Sequence, residues 1–335
     1  MQLSAANSSP PVIRMGHLMA FSSVLSKAGA PVDKMLSRAH LPVLCGDANH
    51  FVPLTRVWSF FDAAAASIDS ELGWVVGKHV GDHNLNPALR QNLEDAPSLY
   101  QALYRLVEKV RSEASHLHLG ICERKNYVGL FTHYPGMQDV PGYDQSQAYQ
   151  LGVFLDLIRH FLGRDWSPEE VCIQAQHSPH GIKEQFGGSR ILLGQAMGYI
   201  KVRRTSLHKG MDQEKSTSAG ESPAPPNHTF DFDYTLRELL MAYLSEGYPS
   251  AAQAAELMDI SERTLARRLS KRGLTYGELV DEVRFTLAKK LLQKPKAKIS
   301  DVAIEVGFQD QSNFSRMFRR IGGTSPREFR KAMLH

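Results

Sequence analysis

Residues 299–330 read ISDVAIEVGFQDQSNFSRMFRRIGGTSPREFR, and this stretch decides the fold of the C-terminal part of the chain. The apolar residues of its second half recur at the spacing of one helix face. They are Phe314, Met317 and Phe318. Polar residues occupy the opposite face, and Gly307 falls where two short helices would meet, a position that often does not tolerate a Cβ. The pattern is typical of a helix-turn-helix.

A second copy of this plan lies upstream, between residues 251 and 279. Ala255 and Ala303 correspond at an offset of 48 residues, Leu265 and Phe314 at 49, and Leu279 and Phe329 at 50, so two one-residue insertions separate the copies. A stacked helical-repeat scaffold is the competing interpretation, but a solenoid needs at least three repeats to bury a continuous core. Two copies therefore predict two helix-turn-helix units.

The first unit, about residues 250–272, contains the expected cap and turn signals in order. Ser250 and Ser261 each precede a helix-forming run. The Ser250 hydroxyl can therefore cap the first helix of the unit, and the Ser261 hydroxyl can cap the second. Asp259 falls in the turn between the helices, and Gly273 is placed to end the second helix.

The second helix of the first unit has an apolar and a basic face. At 100° per residue, Leu265 and Leu269 lie together and are expected to point inward. The opposite face is polar and basic. It holds Arg263, Arg267, Ser270 and Lys271, with Thr264 at its edge.

The second unit, about residues 299–321, repeats this division, and residues 276–292 predict one long helix between the units. Its apolar residues recur every four positions. They are Leu279, Val283, Leu287 and Leu291. Pro295 blocks its continuation. A rigid connecting helix would set the distance between two reading helices, which for one side of B-DNA should be about 34 Å.

Positive charge is concentrated in the same region. Residues 1–230 carry 21 basic and 21 acidic side chains, whereas residues 261–335 carry 17 basic and 8 acidic ones. A solvated helix surface is the ordinary explanation for one basic face, but two copies within a basic segment favour attraction to DNA phosphates. We therefore expect double-stranded DNA as the partner.

The predicted DNA-contacting side chains project from the second helix of each unit, where helix-turn-helix proteins place their base contacts. They are Arg263, Thr264, Arg267, Lys271, Gln311, Ser312, Ser315, Arg316 and Arg319. A further set is expected to hold the units together. It comprises Ser261, Leu265, Leu269, Gly307, Phe308, Phe314, Phe318 and Pro326.

Residues 231–333 resemble the DNA-binding domain of the AraC/XylS family of bacterial transcriptional regulators, with residues 299–330 carrying most of the likeness. Arg284, Ala288 and the Leu291-Leu292 pair also fit the family's connecting helix. The family's contact positions, carried over by position, fall on Arg263, Ala266, Arg267, Gln311, Ser312, Ser315 and Arg316. Ala266 departs from the pattern, because a methyl group can contact only an apolar group such as a thymine methyl. The resemblance also implies activation through RNA polymerase.

Residues 12–208 are expected to form an α+β domain, joined by a Ser/Pro-rich linker at 209–230 to an all-α C-terminal domain at 231–335. Residues 1–11 are expected to be disordered. Helices are predicted at 15–28, 54–68, 97–114 and 144–163, and strands at 116–123, 127–133, 171–177 and 199–203. This helix content argues against the all-β cupin sensor that many AraC/XylS relatives carry.

Residues 20–208, including Gly194-Gln195 and the strand after them, resemble the arabinose-binding-type N-terminal domain of one branch of that family. The resemblance implies sensing of a small-molecule effector and formation of a homodimer, and it names no ligand. An alternative stays open, in which the domain only dimerises or docks another protein.

Other classes of protein are disfavoured. No apolar run reaches 18 residues and the N-terminus lacks a secretory pattern, so a cytoplasmic protein without membrane contact is expected. The three cysteines fit reduced structural thiols. They are Cys45, Cys122 and Cys172.

An enzyme is also disfavoured, because glycine-rich phosphate loops, nucleophile elbows and HExxH helices are missing from the sequence. His116, His118 and His133 could approach a common metal if their strands pair, but spacing does not supply the convergent geometry that a metal site needs. No catalytic residue, metal or cofactor is expected.

Overall fold

The computed structural model describes residues 9–44, 48–68, 71–78, 87–110, 112–175, 186–208, 231–243, 247–294 and 297–333. The expected linker at 209–230 and the start at 1–8 lie outside the described residues. The expectation of a disordered start is wrong for residues 9–11. Ser9 is buried, and the Pro11 carbonyl accepts a hydrogen bond of 2.9 Å from the backbone N–H of Leu54.

The N-terminal half contains two sheets, the first antiparallel and the second mixed. β1 (Val12–Arg14) pairs with β2 (Phe51–Pro53) in a two-stranded sheet. Five further strands form the second sheet in the order β3-β4-β7-β5-β6. They are β3 (His118–Glu123), β4 (Tyr127–His133), β5 (Glu170–Cys172), β6 (Arg190–Leu192) and β7 (Gly198–Arg203). All its neighbours are antiparallel except β5 and β6.

Seven described helices surround these sheets. They are α1 (Met15–Lys27), α2 (Val32–Arg38), α3 (Leu54–Ser67), α4 (Leu72–Lys78), α5 (Pro87–Glu94), α6 (Leu99–Val110) and α7 (Tyr143–Leu162). The backbones of α4 and α7 approach closely, since a Cβ built at Gly77 would lie 2.4 Å from the Tyr149 carbonyl oxygen. Glycine is therefore required at this crossing.

The predicted α+β architecture of this half is confirmed. All four predicted helices are present, with ends that differ by at most four residues from the predicted ranges. The strand predicted at 171–177 is shorter, because the chain pairs with β6 and β7 only over Glu170–Cys172. Residues 176 and 177 lie outside the described residues. The short β1, β2 and β6 were not predicted.

Over its described residues, the regular secondary structure of the C-terminal half consists of α-helices alone. Its helices are α8 (Phe232–Ala242), α9 (Ala251–Leu257), α10 (Glu262–Ser270), α11 (Tyr276–Leu292), α12 (Ile299–Glu305), α13 (Gln311–Gly322) and α14 (Pro326–Met333). The helix predicted at 276–292 has the predicted bounds. α9 and α10 form the first unit, α12 and α13 the second unit, and α11 connects them.

Two apolar cores extend through the C-terminal half. The first unit, α8 and the start of α11 belong to one cluster that also contains α1, α3 and the β1–β2 sheet. The second unit packs with the end of α11 in a separate cluster around Phe314 and Phe318. The first unit is therefore continuous with the N-terminal half, whereas the second has its own core.

The helices of the described ranges include none that is both long and apolar enough to span a lipid bilayer.

Candidate nucleic-acid interface

The first unit is built as its sequence predicts. Ser250 and Gln253 form a reciprocal capping box at the start of α9. Asp259 adopts a left-handed conformation in the turn, with φ of 51°, and the Ser261 hydroxyl accepts a hydrogen bond of 3.2 Å from the backbone N–H of Thr264. These caps satisfy backbone donors that an isolated helix end leaves free. The start of each helix is thus set locally.

The second helix of the first unit, α10, presents a basic surface. Leu265 and Leu269 are each 1% exposed and anchor the helix in the core. Arg263, Ala266, Arg267, Ser270 and Lys271 are exposed. Within the described residues, Arg263 and Arg267 have no ion pair or hydrogen-bond partner from their side chains. Their guanidinium groups are available to a ligand.

Thr264 differs from the other predicted contact residues of the first unit. Its hydroxyl lies 2.9 Å from the Ser261 hydroxyl at the helix start, and the residue is half-buried. The side chain therefore takes part in the cap, and its contact with DNA stays a prediction.

Two further arginines near α10 contact the neighbouring helix α8. The Arg268 guanidinium lies 4.7 Å from the centre of the Phe232 ring, and Arg272 forms an ion pair with Asp233. Phe232 and Asp233 belong to α8, so these cations attach α10 to that helix. Sequence reasoning missed this role, because the contacts join residues 36 and 39 positions apart in the chain.

The second unit has a capped recognition helix as well. Asp310 accepts a hydrogen bond of 2.8 Å from the backbone N–H of Asn313, and this bond holds the pKa of the Asp310 carboxyl below its ordinary value. Phe314 and Phe318, on the inner face of α13, are fully buried. Gln311, Ser312, Arg316 and Arg319 are exposed, and Ser315 is half-buried.

The outer face of α13 borders a basic groove. Its volume is about 400 Å³, and it is lined by Ser315, Arg316, Arg319, Arg320 and Ser325. The first three were predicted to contact DNA, and the structure brings them together. Arg320 was missed, although it follows Arg316 by four residues and helical periodicity places both on one face. Ser325 was missed because it lies beyond the helix.

The residues predicted to be structural occupy the expected places. Gly307 is left-handed, with φ of 82°, and ends the first helix of the second unit. The backbone N–H of Phe308 donates a 2.9 Å hydrogen bond to the Ala303 carbonyl. Pro326 is buried at the first position of α14, where a proline loses no helical hydrogen bond.

The three histidines considered for a metal lie near one another, but they do not converge. His118 and His133 are register partners on β3 and β4, whereas His116 lies in the preceding turn. Burial, followed by the nearby His118, lowers the pKa of His116. Over the described ranges, no three His, Cys, Asp or Glu side chains are grouped to hold a metal ion.

Two capped helices with exposed basic faces, joined by a connecting helix, define a DNA-binding protein with tandem helix-turn-helix units. Comparison with protein families agrees. Residues 254–332 match the family described as a helix-turn-helix domain. Residues 29–209 match the arabinose-binding domain of AraC transcription regulators, N-terminal. The second match spans more than half of the chain, and the chain belongs to the AraC family of transcription regulators.

Individual relatives are similar over part of their length. The regulator VqsM of Pseudomonas aeruginosa is 33% identical over 204 residues, which are 56% of this chain and 62% of VqsM. The ornithine utilization regulator of the same species is 38% identical over 97 residues, 29% of this chain and 28% of the relative. The activator RhaS of Escherichia coli is 35% identical over 97 residues, 28% of this chain and 35% of RhaS. The matches thus cover less than two thirds of these relatives.

The crystal structure of the regulator CdpR from Pseudomonas aeruginosa aligns with 93% of this chain and 96% of its own, with 19% identity and a TM-score of 0.40. A regulator with an AraC-type DNA-binding domain from Chromobacterium violaceum aligns with 29% of this chain and 88% of its own, with 26% identity and a TM-score of 0.28.

Proposed function

We propose that this chain binds a specific sequence of duplex DNA by placing α10 and α13 in adjacent major grooves. Exposed arginines opposite a buried apolar stripe, present twice, are the observation that carries the proposal. Arg263, Arg267, Arg316 and Gln311 are assigned to base edges, because guanidinium and amide groups can form paired hydrogen bonds with them. Thr264, Lys271, Ser312, Ser315 and Arg319 complete the contact set.

Selection of duplexes from a random pool, followed by a gel-shift titration of the selected duplex at several salt concentrations, tests this assignment. The affinity should fall steeply as salt rises, since cations released from phosphates drive part of the binding. The selected duplex should bind at least about 1,000-fold more tightly than an unrelated duplex. Equal affinity for both duplexes would contradict sequence-specific binding.

The second part of the proposal is that the N-terminal half modulates DNA binding. Its support is a contact between the two halves. Arg56 of α3 pairs with Glu256 of α9 at 2.7 Å, and the Tyr243 hydroxyl donates a 2.9 Å hydrogen bond to the His40 carbonyl. His50 lies 3.5 Å from Glu238 of α8. A change in the N-terminal half would therefore reach the first unit directly.

A groove between α1 and α2 is our candidate for a small-molecule effector site. Its volume is about 590 Å³, and its lining mixes apolar and hydroxyl side chains, including Met19, Ser22, Ser26 and Val32. α2 lines the groove with its first residues and leads to His40, whose carbonyl accepts hydrogen bonds from both Tyr243 and Arg56. A ligand that moves α2 would thereby act on the contact with the first unit.

We further propose that residues 12–208 form the sensing and dimerising domain, 209–230 the linker and 231–335 the DNA-binding domain of a cytoplasmic activator. Activation through RNA polymerase rests on the family, in which the relative RhaS is named an activator. The competing function for the N-terminal half is dimerisation or protein docking without any small molecule.

Native mass spectrometry combined with a thermal-shift screen of metabolites separates these two functions. An effector should raise the melting temperature of the full chain and change its affinity for the selected duplex, because it binds one arrangement of the N-terminal half and the first unit more tightly than another. A homodimer that no metabolite stabilises would favour the docking function. A monomer at all concentrations would contradict dimerisation.

A further inference from the structure

One side chain of the connecting helix contacts both helix-turn-helix units. The guanidinium carbon of Arg284 lies 4.3 Å from the centre of the Tyr248 ring and 4.7 Å from the centre of the Phe308 ring. Tyr248 lies just before α9 of the first unit, and Phe308 lies in the turn of the second unit. A guanidinium group at such distances from an aromatic ring is attracted to it. Arg284 thus joins two segments that are 60 residues apart.

The two units also touch each other at this place. A Cβ built on Gly307 would lie 3.3 Å from Cε2 of Tyr248 and 3.8 Å from Nη2 of Arg284. The turn of the second unit therefore approaches the Tyr248 ring closely. Any rotation of one unit relative to the other would change this contact.

Asp281 holds the guanidinium of Arg284 in place. Its Oδ1 accepts a 3.3 Å hydrogen bond from Nη1 of Arg284, and its Oδ2 pairs with Arg320 of α13. The same carboxylate therefore orients Arg284 and ties the connecting helix to the recognition helix of the second unit.

The fully buried side chains of α11 divide between two separate apolar cores, and the half-buried Leu287 packs against both. The start of α11, with Leu279 and Val283, belongs to the core of the first unit. The end of α11, with Ala288 and Leu292, belongs to the separate core of the second unit. Among the described residues, the contact of Arg284 with Tyr248 and Phe308 acts together with Leu287 and the Asp281–Arg320 pair to resist a change in the angle between the units.

We propose that the contact of Arg284 with Tyr248 and Phe308 sets the angle and distance between α10 and α13, and thereby the spacing of the two DNA elements that the protein accepts. The inference rests on the proposed function and deepens it. Arg284 is a positioning residue, since it acts through the two units. Each base pair inserted between the elements moves the second by about 3.4 Å and rotates it by about 34°, so a fixed angle allows little variation.

The test uses the full chain and the duplex that the wild type selects from a random pool. One or two base pairs are inserted or removed between the two DNA elements that α10 and α13 contact, and the affinity for each duplex is measured. The wild type should lose at least about tenfold in affinity for each single-base-pair change. Arg284→Lys keeps the charge but loses the planar group that contacts the two rings. A single-base-pair change in spacing should therefore lower the affinity of this variant by less than about threefold.

Two controls separate positioning from folding and from DNA contact. Tyr248→Ala should flatten the spacing profile while Arg284 keeps its pair with Asp281, and Tyr248→Phe, which keeps the ring, should retain the wild-type profile. Arg263→Ala should weaken binding at every spacing without moving the optimum. Circular dichroism and the melting temperature establish that each variant is folded.

The outcomes are distinguishable. If the wild type selects no sequence, the proposed function fails. If the wild type selects a duplex but has no spacing preference, or if folded Arg284→Lys and Tyr248→Ala both keep the wild-type profile, the positioning role is wrong.

Discussion

At the scale of single residues, arginines of the same recognition helix have different tasks. Arg263 and Arg267 extend from α10 into solvent. The Arg268 guanidinium instead lies over the Phe232 ring and attaches α10 to α8. The difference follows from a rotation of only 100° per residue. Substitutions at neighbouring arginines should therefore affect DNA binding in one case and stability in the other.

Arg316→Ala tests the exposed class. Removing a guanidinium that reads a base should cost about 1–3 kcal/mol of specific binding and should relax specificity at one base pair. The measurement is a titration of the selected duplex and of its single-base variants. Lys125→Ala, which removes one exposed positive charge from the N-terminal half, is the control. An equal loss on every duplex would instead make Arg316 a phosphate contact.

Gly307→Val tests the turn of the second unit. The left-handed φ of 82° and the 3.3 Å approach of an added Cβ to Tyr248 both oppose a branched side chain. We expect a loss of about 1–3 kcal/mol in the free energy of unfolding, measured by thermal or urea unfolding. Gly277→Ala is the matched control, because an added Cβ there meets no atom within 4 Å, and it should leave stability unchanged or raise it. An unchanged melting temperature for Gly307→Val would contradict the strain.

At the scale of elements, the C-terminal helices depend on acidic caps. Asp310 caps α13, Glu278 binds the backbone at the start of α11, and Glu328 does so at α14. Backbone N–H groups hold the pKa of each carboxyl below its ordinary value. All three helices should therefore be sensitive to acid.

Asp310→Asn isolates one of these caps. Because the folded-state pKa of Asp310 is lowered, its contribution to stability is fully present above the ordinary value of 3.8 and is lost as the pH falls through the lower folded-state value. Asparagine is also a good cap, so the variant should keep most of its stability at pH 7. Below a pH of about 4 it should lose less stability than the wild type does. Melting temperatures across this range provide the measurement. Identical acid profiles for wild type and variant would contradict the role of the charge.

At the scale of the whole molecule, the first unit shares a core with the N-terminal half, and the second does not. The ring of Phe51 on β2 meets Tyr234 on α8 at a centroid distance of 6.2 Å, and Arg56 pairs with Glu256. Arg14 of β1, the register partner of Phe51, is buried and pairs with Glu113 at 3.1 Å. The first unit is thus the part of the DNA-binding half on which a signal from the N-terminal half would act.

A charge exchange tests this contact. Arg56→Glu places two carboxylates together and should destabilise the full chain, and Glu256→Arg should do so with two guanidinium groups. The double variant should recover about 0.2–1 kcal/mol of coupling energy, since Glu256 is largely exposed and solvent screens the pair. Thermal unfolding of the wild type, the two single variants and the double variant completes this double-mutant cycle. Additive effects of the two substitutions would mean that the ion pair contributes nothing.

The sequence alone determined the tandem helix-turn-helix units, the bounds of α11, the caps Ser250 and Ser261 and the exposed arginines. These features arise from contacts within one or two helical turns, so periodicity and capping chemistry contain them. Only the tertiary structure decided that α8 packs on β2, that Arg268 faces inward and that Arg284 meets Tyr248 and Phe308. These contacts join segments distant in the chain, and their partners are chosen by packing, which no local pattern encodes.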